Sequence, residues 1–313
     1  MKAAQIHTYG GSEVIEINEN APMPILKAGQ VLVQVHAASI NPFDAKFCAG
    51  LFQKMMPVPF PIMLGGDFAG EITQIGEGVT DLKIGDRVYG QGLILSGGSG
   101  TLAEYVAANA GTTALKPTSI NCTLAASLPL VGVSAIQGIE EHIKLLKGQK
   151  ILIHGGAGGI GSIAIQLAKS HGAYVTTTVG NGEVDFVKNL GADQVIDYKS
   201  QKFDTLLKEY DAVFDTVGGE VTRASFSVLK KVGILVSMAG APDETMAKQY
   251  GVTAVGQNTR INRERLNHLT DLVDSGKIKV QVDTVYPLSQ VKEAFNHLET
   301  GHPKGKVVVK MNG

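Results

Sequence analysis

The sequence predicts an α/β protein, a doubly wound parallel sheet inserted in a strand-rich barrel domain. Three observations carry this expectation. A glycine cluster, Gly155-Gly156-Ala157-Gly158-Gly159-Ile160-Gly161, stands between a short apolar run and a helical pattern. From about Ala125 onward, helix-like and strand-like stretches alternate at regular spacing, the rhythm of a parallel sheet with helices on both faces. The first third reads instead as strands and turns, and the residues beyond 260 do not fit the sheet's count.

At 313 residues the chain is long enough for two domains, and 44% hydrophobic with 18% charged residues suits a globular protein with a substantial core. In the first part, Val31, Val33, Val35 and Ala37 alternate with Leu32, Gln34, His36 and Ala38, a strand that follows the turn Lys27-Ala28-Gly29. Strands are also expected over 68–75, 86–89 and 102–107. Pro57, Pro59 and Pro61 mark one loop, and glycine-rich punctuation over 90–100 marks another.

In the second part, Ile151-Leu152-Ile153 reads as a buried strand. Beyond the glycines, Ile160, Ile163, Ala164, Leu167 and Ala168 share one helical face, closed by Gly172. Strands over 175–179, 194–197, 212–215, 233–237 and 253–256 complete a set of six, with helices over 184–190, 203–208 and 219–229 between them. The chain leaves through a helix over 263–275, a strand over 280–285, a helix over 290–298 and a strand over 306–309. These last elements are assigned back to the first domain. The expected domains are therefore 1–124 with 260–313, and an inserted 125–259.

The glycine cluster contains Gly156-x-Gly158-x-x-Gly161. Glycines at this spacing allow a tight turn and a close approach of backbone to a pyrophosphate, whose charge rests on the amides of a helix start, here at Gly159 and Ile160. The bare motif is weak, but a strand before it and a helix after it are the required context. In binders of NAD, an acidic residue about 20 residues further on, at the tip of the second strand, grips the ribose 2′-hydroxyl. Here the tip reads Val179-Gly180-Asn181, with no carboxylate before Glu183. An uncharged tip at Gly180 and Asn181 favours NADPH. Tyr198 and Lys199, at the end of the third strand, stand where they could reach a 2′-phosphate; the alternative is a pair that only caps a surface strand. Ligands bind outside the carboxyl ends of such strands, so Val217 in Asp215-Thr216-Val217-Gly218 and the run Met238-Ala239-Gly240 should border the nicotinamide and its ribose. Ordinary loop turns are the alternative for both.

Composition narrows the function classes. The net charge of −1 leaves no basic footprint for nucleic acid. No window of about 20 residues is apolar enough to span a bilayer. The start, Met1 to Gly11, lacks a secretory apolar core, and Cys48 and Cys122 are the only cysteines. Two thiols far apart suit a reducing compartment, and a cytoplasmic location is expected.

Several further stretches carry a family likeness. They are Ser39-Ile40-Asn41-Pro42-x-Asp44-x-Lys46, Gly66-Asp67-Phe68-Ala69-Gly70, Val79-x-x-Leu82-x-Ile84-Gly85-Asp86-Arg87-Val88, Ala125-Ala126-Ser127-Leu128-Pro129-Leu130, Gly191-Ala192-Asp193-x-Val195-Ile196-Asp197-Tyr198 and Gly305-Lys306-Val307-Val308-Val309. With the glycine loop, they make nearly all of residues 1–311 resemble the medium-chain dehydrogenase/reductases. The match is to the zinc-independent quinone oxidoreductase branch, with its zeta-crystallin-like and plastid enone-reductase-like relatives. The resemblance implies a Rossmann domain inserted in a GroES-like catalytic domain, NADPH as cofactor, a small electrophilic substrate and a homodimer. It also implies a role for Tyr198 on the 2′-phosphate and a cofactor-contacting hydroxyl at Ser134, for which helix capping is the bland alternative. Where relatives carry a lysine after the second strand, this chain has Gly182-Glu183-Val184.

Zinc enzymes of the superfamily need a cysteine in the first loop, then a His-Glu pair and a further cysteine. Here those places read Asn41-Pro42-Phe43-Asp44 and Gly66-Asp67, and the histidines show no metal-binding spacing. No metal is expected. The oxygen of the acceptor must then be stabilised by side chains, and the resemblance puts Asn41 and Lys46 near the nicotinamide. Asn41 donates through an amide that cannot itself ionise; Lys46 offers a full charge. The alternatives are a turn residue before Pro42 and a solvated surface charge. The expected activity is NADPH-dependent reduction of quinones by hydride transfer. Reduction of the C=C bond of α,β-unsaturated carbonyls and a non-catalytic NADPH-binding role are the alternatives.

Overall fold

The computed structural model describes residues 1–300 and 302–311; residue 301 and the last two residues of the expected 260–313 segment lie outside it. The chain divides into two units, Met1–Leu130 with Ile261–Asp274 and Val280–Gly313, and Val131–Arg260 with Ser275–Lys279.

The first unit is organised around one long strand. Its strands are β1 (Ala3–Ile6), β2 (Glu16–Asn18), β3 (Gln30–Ile40), β4 (Ile62–Met63), β5 (Asp67–Ile75), β6 (Arg87–Gln91), β7 (Tyr105–Asn109) and β8 (Thr113–Leu115). Two strands from the far end of the chain, β15 (Val282–Pro287) and β16 (Lys306–Lys310), join them. Strands β2, β1 and β4 form a small sheet; the larger runs β15-β16-β3-β5-β6-β8, with β7 also on β3. The expected alternation along β3 predicts one wet face, yet nearly every residue of it is buried. The reason is its neighbours. β5 lies along one edge, while β7 takes residues 30–34 and β16 takes 37–40 of the other. Register shifts at Leu32/Val33 and Val35/Ala37 bend the β3–β5 pair. Val31, Val33, Val35, Phe68, Val88 and Val307 share the resulting core with Phe295 of the helix Val291–Glu299.

The second unit holds β9 (Lys150–His154), β10 (Tyr174–Val179), β11 (Gln194–Asp197), β12 (Tyr210–Asp215), β13 (Leu229–Ser237) and β14 (Thr253–Gly256). They form one sheet in the order β11-β10-β9-β12-β13-β14, parallel throughout. The first strand therefore lies mid-sheet and the order reverses beside it, where dinucleotide folds bind their ligand. Continuous burial of Ile151–His154 and Val175–Val179 fits strands covered on both faces. The helix Gly159–Ser170 is buried all round from Gly161 to Ala168, not along one stripe. Gln166 explains the extra cover: its amide donates to the Lys279 carbonyl at 3.0 Å and accepts from the Lys279 N–H at 2.8 Å.

Local departures from the sequence reading have local causes. The helix Glu244–Tyr250 was not expected; Asp243 starts it by accepting from the Thr245 N–H at 2.8 Å. The predicted helix over 219–229 is Glu220–Ser225 followed by a 3₁₀ turn, Phe226–Val228. The apolar stretch over 124–139 becomes the helix Pro129–Ile136, which continues as π turns over Gln137–Ile143. A side chain at Gly138 would strike the Phe214 ring at 2.5 Å, so the glycine lets this helix lie on β12. Among the described residues no helix is long and apolar enough to cross a membrane.

Candidate functional site

In the second unit the tips of β9 to β13 gather the residues singled out for a dinucleotide. Gly155 turns the chain with φ +72°, and Gly158 caps the helix in an extended conformation. The three motif glycines are not equivalent. A Cβ on Gly156 would lie 2.0 Å from the Thr177 hydroxyl, and one on Gly161 would lie 2.2 Å from the Gly155 carbonyl. Both are therefore required by the packing of the protein on itself. A Cβ on Gly158 would meet only the Gly155 carbonyl at 3.5 Å, an ordinary contact. The space beside Gly158 is therefore open, and a ligand could seat against the helix start there. The amides of Gly159, Ile160 and Gly161 open that helix, where backbone donors lack intrahelical partners and suit an anion. The site fits a pyrophosphate.

The neighbouring tips converge on the same end of the sheet. Val217 is exposed, and its Cγ2 would lie 3.3 Å from a Cβ on Gly155. Asp215 shapes that turn by accepting from the Val217 and Gly218 N–H groups at 2.8 and 3.1 Å. Met238, Ala239 and Gly240 follow β13; Ala239 would touch a Cβ on Gly218 at 2.5 Å, so the two turns abut. Ser134 is buried, its hydroxyl 2.7 Å from that of Thr259. At the tip of β10, Gly180 has the Tyr198 hydroxyl and the Lys199 Cε each 3.8 Å from where its Cβ would be. Tyr198 is 52% exposed and Asn181 is exposed beside it. The tip is not free of carboxylate, however. Glu183 folds back in a tight 3₁₀ turn, and its Oε2 accepts from the Gly180 N–H at 2.9 Å. Sequence distance hid a neighbour that the turn supplies.

In the first unit Asn41 caps the seven-residue helix Pro42–Cys48, with Pro42 in the first turn. Its backbone does the capping: the Asp44 carboxylate accepts from the Asn41 N–H at 2.7 Å, and the Asp44 N–H donates to the Asn41 carbonyl at 2.9 Å. The Asn41 side chain is left for other work. Its Nδ2 donates to Asp67 at 2.9 Å, and its Oδ1 accepts from the Lys306 ammonium, which also donates to the Ile40 carbonyl at 2.6 Å. Asn41, Asp44, Asp67 and Lys306 are all buried. Burial pushes the Asp44 carboxyl up to about 7, with the Asn41 N–H pulling it down and the nearby Asp67 adding to the rise. Burial likewise raises Asp67 and lowers Lys306, each opposed by the other's charge. One atom in the cluster, Asp67 Oδ1, is buried without a hydrogen-bond partner.

Lys46 is not part of this cluster. It is exposed on the same short helix, beside a shallow pocket of about 260 Å³ lined also by Pro42, Ala45, Ala49, Leu298 and Glu299. Phe43, Phe47 and Phe52 stack on one another, with ring centroids 6.2 and 4.9 Å apart, and Phe47 is buried in the core. Sequence reading missed both Lys306 and Asp67 as neighbours of Asn41. The available signal was a charged residue opening each of two apolar strands, at Asp67 in β5 and Lys306 in β16.

Residues 27–118 match the alcohol dehydrogenase GroES-like domain, and residues 190–309 match the family described as zinc-binding dehydrogenase. The NADPH-dependent alkenal/one oxidoreductase of Arabidopsis thaliana chloroplasts is 39% identical over 99% of this chain and 79% of its own length. The quinone oxidoreductase of Coxiella burnetii superposes with a TM-score of 0.92 at 36% identity, over 100% of this chain and 99% of that one. The Escherichia coli quinone oxidoreductase, solved in complex with NADPH, superposes at 0.87 and 26% identity, over 99% of this chain and 100% of that one. The zinc of the family description does not fit this chain. The place a zinc enzyme gives to thiolate and imidazole holds an amide and a buried carboxylate beside an ammonium, and no group of three His, Cys, Asp or Glu among the described residues could hold a metal. The chain is an oxidoreductase and belongs to the zinc-independent, quinone oxidoreductase-like branch of the medium-chain dehydrogenase/reductases.

Proposed function

We propose that this protein is an NADPH-dependent reductase of quinones that works without zinc. The observation that supports the reading is the glycine turn at β9, where a Cβ on Gly158 would meet only the Gly155 carbonyl at 3.5 Å, leaving the helix start open to a pyrophosphate. When bound, NADPH supplies the hydride. Gly156, Gly158, Gly159, Ile160 and Gly161 hold its diphosphate on their backbone; Gly180, Asn181, Tyr198 and Lys199 face its 2′-phosphate. Ser134, Val217, Met238, Ala239 and Gly240 line the path of the ribose and nicotinamide. This assigns cofactor binding to 125–259 and substrate binding to 1–124 with 260–313.

On the substrate side, Asn41 donates to the acceptor's carbonyl oxygen as negative charge develops there. Its Nδ2 carries two N–H groups, of which Asp67 takes one. Lys46, exposed on the same helix, adds a positive charge for the reduced anion. The final proton comes from water. The chloroplast relative favours a second reading, reduction of the C=C bond in alkenals and enones, by the same donors. We also propose a cytoplasmic homodimer; β14 ends its sheet and offers an edge to a second copy.

The test is oxidation of NADPH and NADH against 1,4-quinones, 2-alkenals and saturated aldehydes, with and without a chelator. Quinones should turn over fastest, 2-alkenals next, NADPH should outperform NADH, and the chelator should change nothing. Turnover of saturated aldehydes alone, abolished by the chelator, would overturn the proposal.

A further inference from the structure

Asn41 is held from both ends. We propose that Lys306 and Asp67 are positioning residues for the reduction, acting only through the Asn41 side chain: together they fix which way its amide points. The inference deepens the reading above and rests on Asn41 as the donor to the acceptor.

A terminal amide can be turned over by rotation about its last bond, exchanging its oxygen for its nitrogen at little cost unless neighbours discriminate. Here they do. An ammonium has donors only, so the atom that meets Lys306 is Oδ1. The nitrogen is thereby sent to the other side, where Asp67 accepts from it at 2.9 Å. One N–H is spent on Asp67, and the direction of the other is fixed with it, since both lie in the amide plane. Backbone contacts add to the restraint. Lys306 is anchored at 2.6 Å on the Ile40 carbonyl, the residue before Asn41, and Asp44 fixes the Asn41 N–H from the other side. All three charged groups are buried, so water cannot substitute for any of them. A donor preorganised in this way is worth more to a developing oxyanion than one that must first reorient. Burial of two carboxyls and an ammonium is costly in itself, and a purely structural link between β16 and β3 needs only the backbone pairing already present from Val307 to Lys310.

The experiment is a mutant cycle on the full chain, with NADPH and a 1,4-quinone as substrates and NADPH fluorescence titration as the check on folding. Asn41→Ala should lower kcat about 100-fold. Lys306→Met should lower kcat about ten- to hundredfold, with KM for NADPH unchanged. On the Asn41→Ala background, Lys306→Met should have no further effect. Equal losses on both backgrounds would overturn the proposal, because Lys306 would then act independently of Asn41. An unchanged kcat in Lys306→Met would overturn it as well. If Asn41→Ala alone leaves kcat unchanged, the donor reading of Asn41 fails instead, a separate outcome. Should Lys306→Met no longer bind NADPH, the isosteric Asp67→Asn, which offers both a donor and an acceptor to the amide, decides by the same criteria.

Discussion

Each unit buries one strongly polar cluster, and the two are built on opposite plans. In the six-stranded unit, His154 ends β9 fully buried. Its Nδ1 meets the Thr178 hydroxyl at 2.9 Å, its Nε2 meets that of Ser225 at 3.0 Å, and its ring lies edge-on to Phe203 at 4.6 Å. Both ring nitrogens have neutral partners, and burial pushes the imidazole down to about 4 against the pull of Asp215. In the first unit, two carboxyls and an ammonium surround one amide, and a carboxyl oxygen of Asp67 is left without a partner. A satisfied neutral cluster costs little and specifies packing. A charged cluster with one carboxyl oxygen unpaired is expensive as scaffold.

Removing one member from each tests that contrast. Asp67→Ala leaves the Asn41 amide without its acceptor and the buried Lys306 ammonium without a nearby negative charge, and should destabilise the protein by about 3–5 kcal/mol in urea unfolding, with loss of turnover. His154→Leu strands the Thr178 hydroxyl and takes a donor from the Ser225 oxygen, and should cost about 1–3 kcal/mol, while kcat of the folded fraction stays near wild type. A large fall in kcat for His154→Leu would erase the distinction.

Titration sharpens it further, because the two clusters respond to pH with opposite signs. The unfolded His154 takes up its proton near the ordinary 6.5 and the folded one only near 4, so its contribution to stability is lost as pH falls through that window. Asp44 in the folded protein keeps its proton up to about 7 and in the unfolded chain loses it near 3.8, so its contribution is lost as pH rises. Between about pH 4.5 and 6.5 the slopes oppose each other. Relative to wild type, the slope of the urea midpoint against pH should therefore become more negative in His154→Leu and more positive in Asp44→Asn; a change of the same sign in both variants would refute the assignment.

The smallest effect concerns a third carboxylate, half-buried rather than buried. Glu183 lies against Gly180 where the 2′-phosphate is proposed to sit, and Glu183→Gln should raise the NADPH-over-NADH ratio of kcat/KM by about two- to fivefold. A ratio that falls would assign Glu183 a supporting role instead.

Much of this molecule was legible in its sequence, and the unread part has a common cause. The β9-glycine-helix unit announces itself because burial on both faces gives β9 an apolar run, and the other parallel strands follow from the regular alternation of strand-like and helix-like stretches. The seven-residue helix at Pro42 and the two-residue β4 are too short to show a period, and β3 hides its second covered face behind an apparent alternation. Asn41 and the glycines could be named from local motifs. Lys306 could not be paired with Asn41, since 265 positions separate them. Glu183 could not be placed at Gly180 until the turn between them was known. Local motifs mark what a residue is suited for, and only the fold says which residues share it.

The order of synthesis adds a consequence. β16 is the last strand of the chain, and Lys306 is its first residue. A nascent polypeptide thus extrudes every strand of the six-stranded sheet, β14 included, before Lys306 leaves the ribosome. On the proposed role of Lys306, a product that stopped short of β16 would keep the glycine turn of β9 and lack the ammonium that meets Asn41 Oδ1.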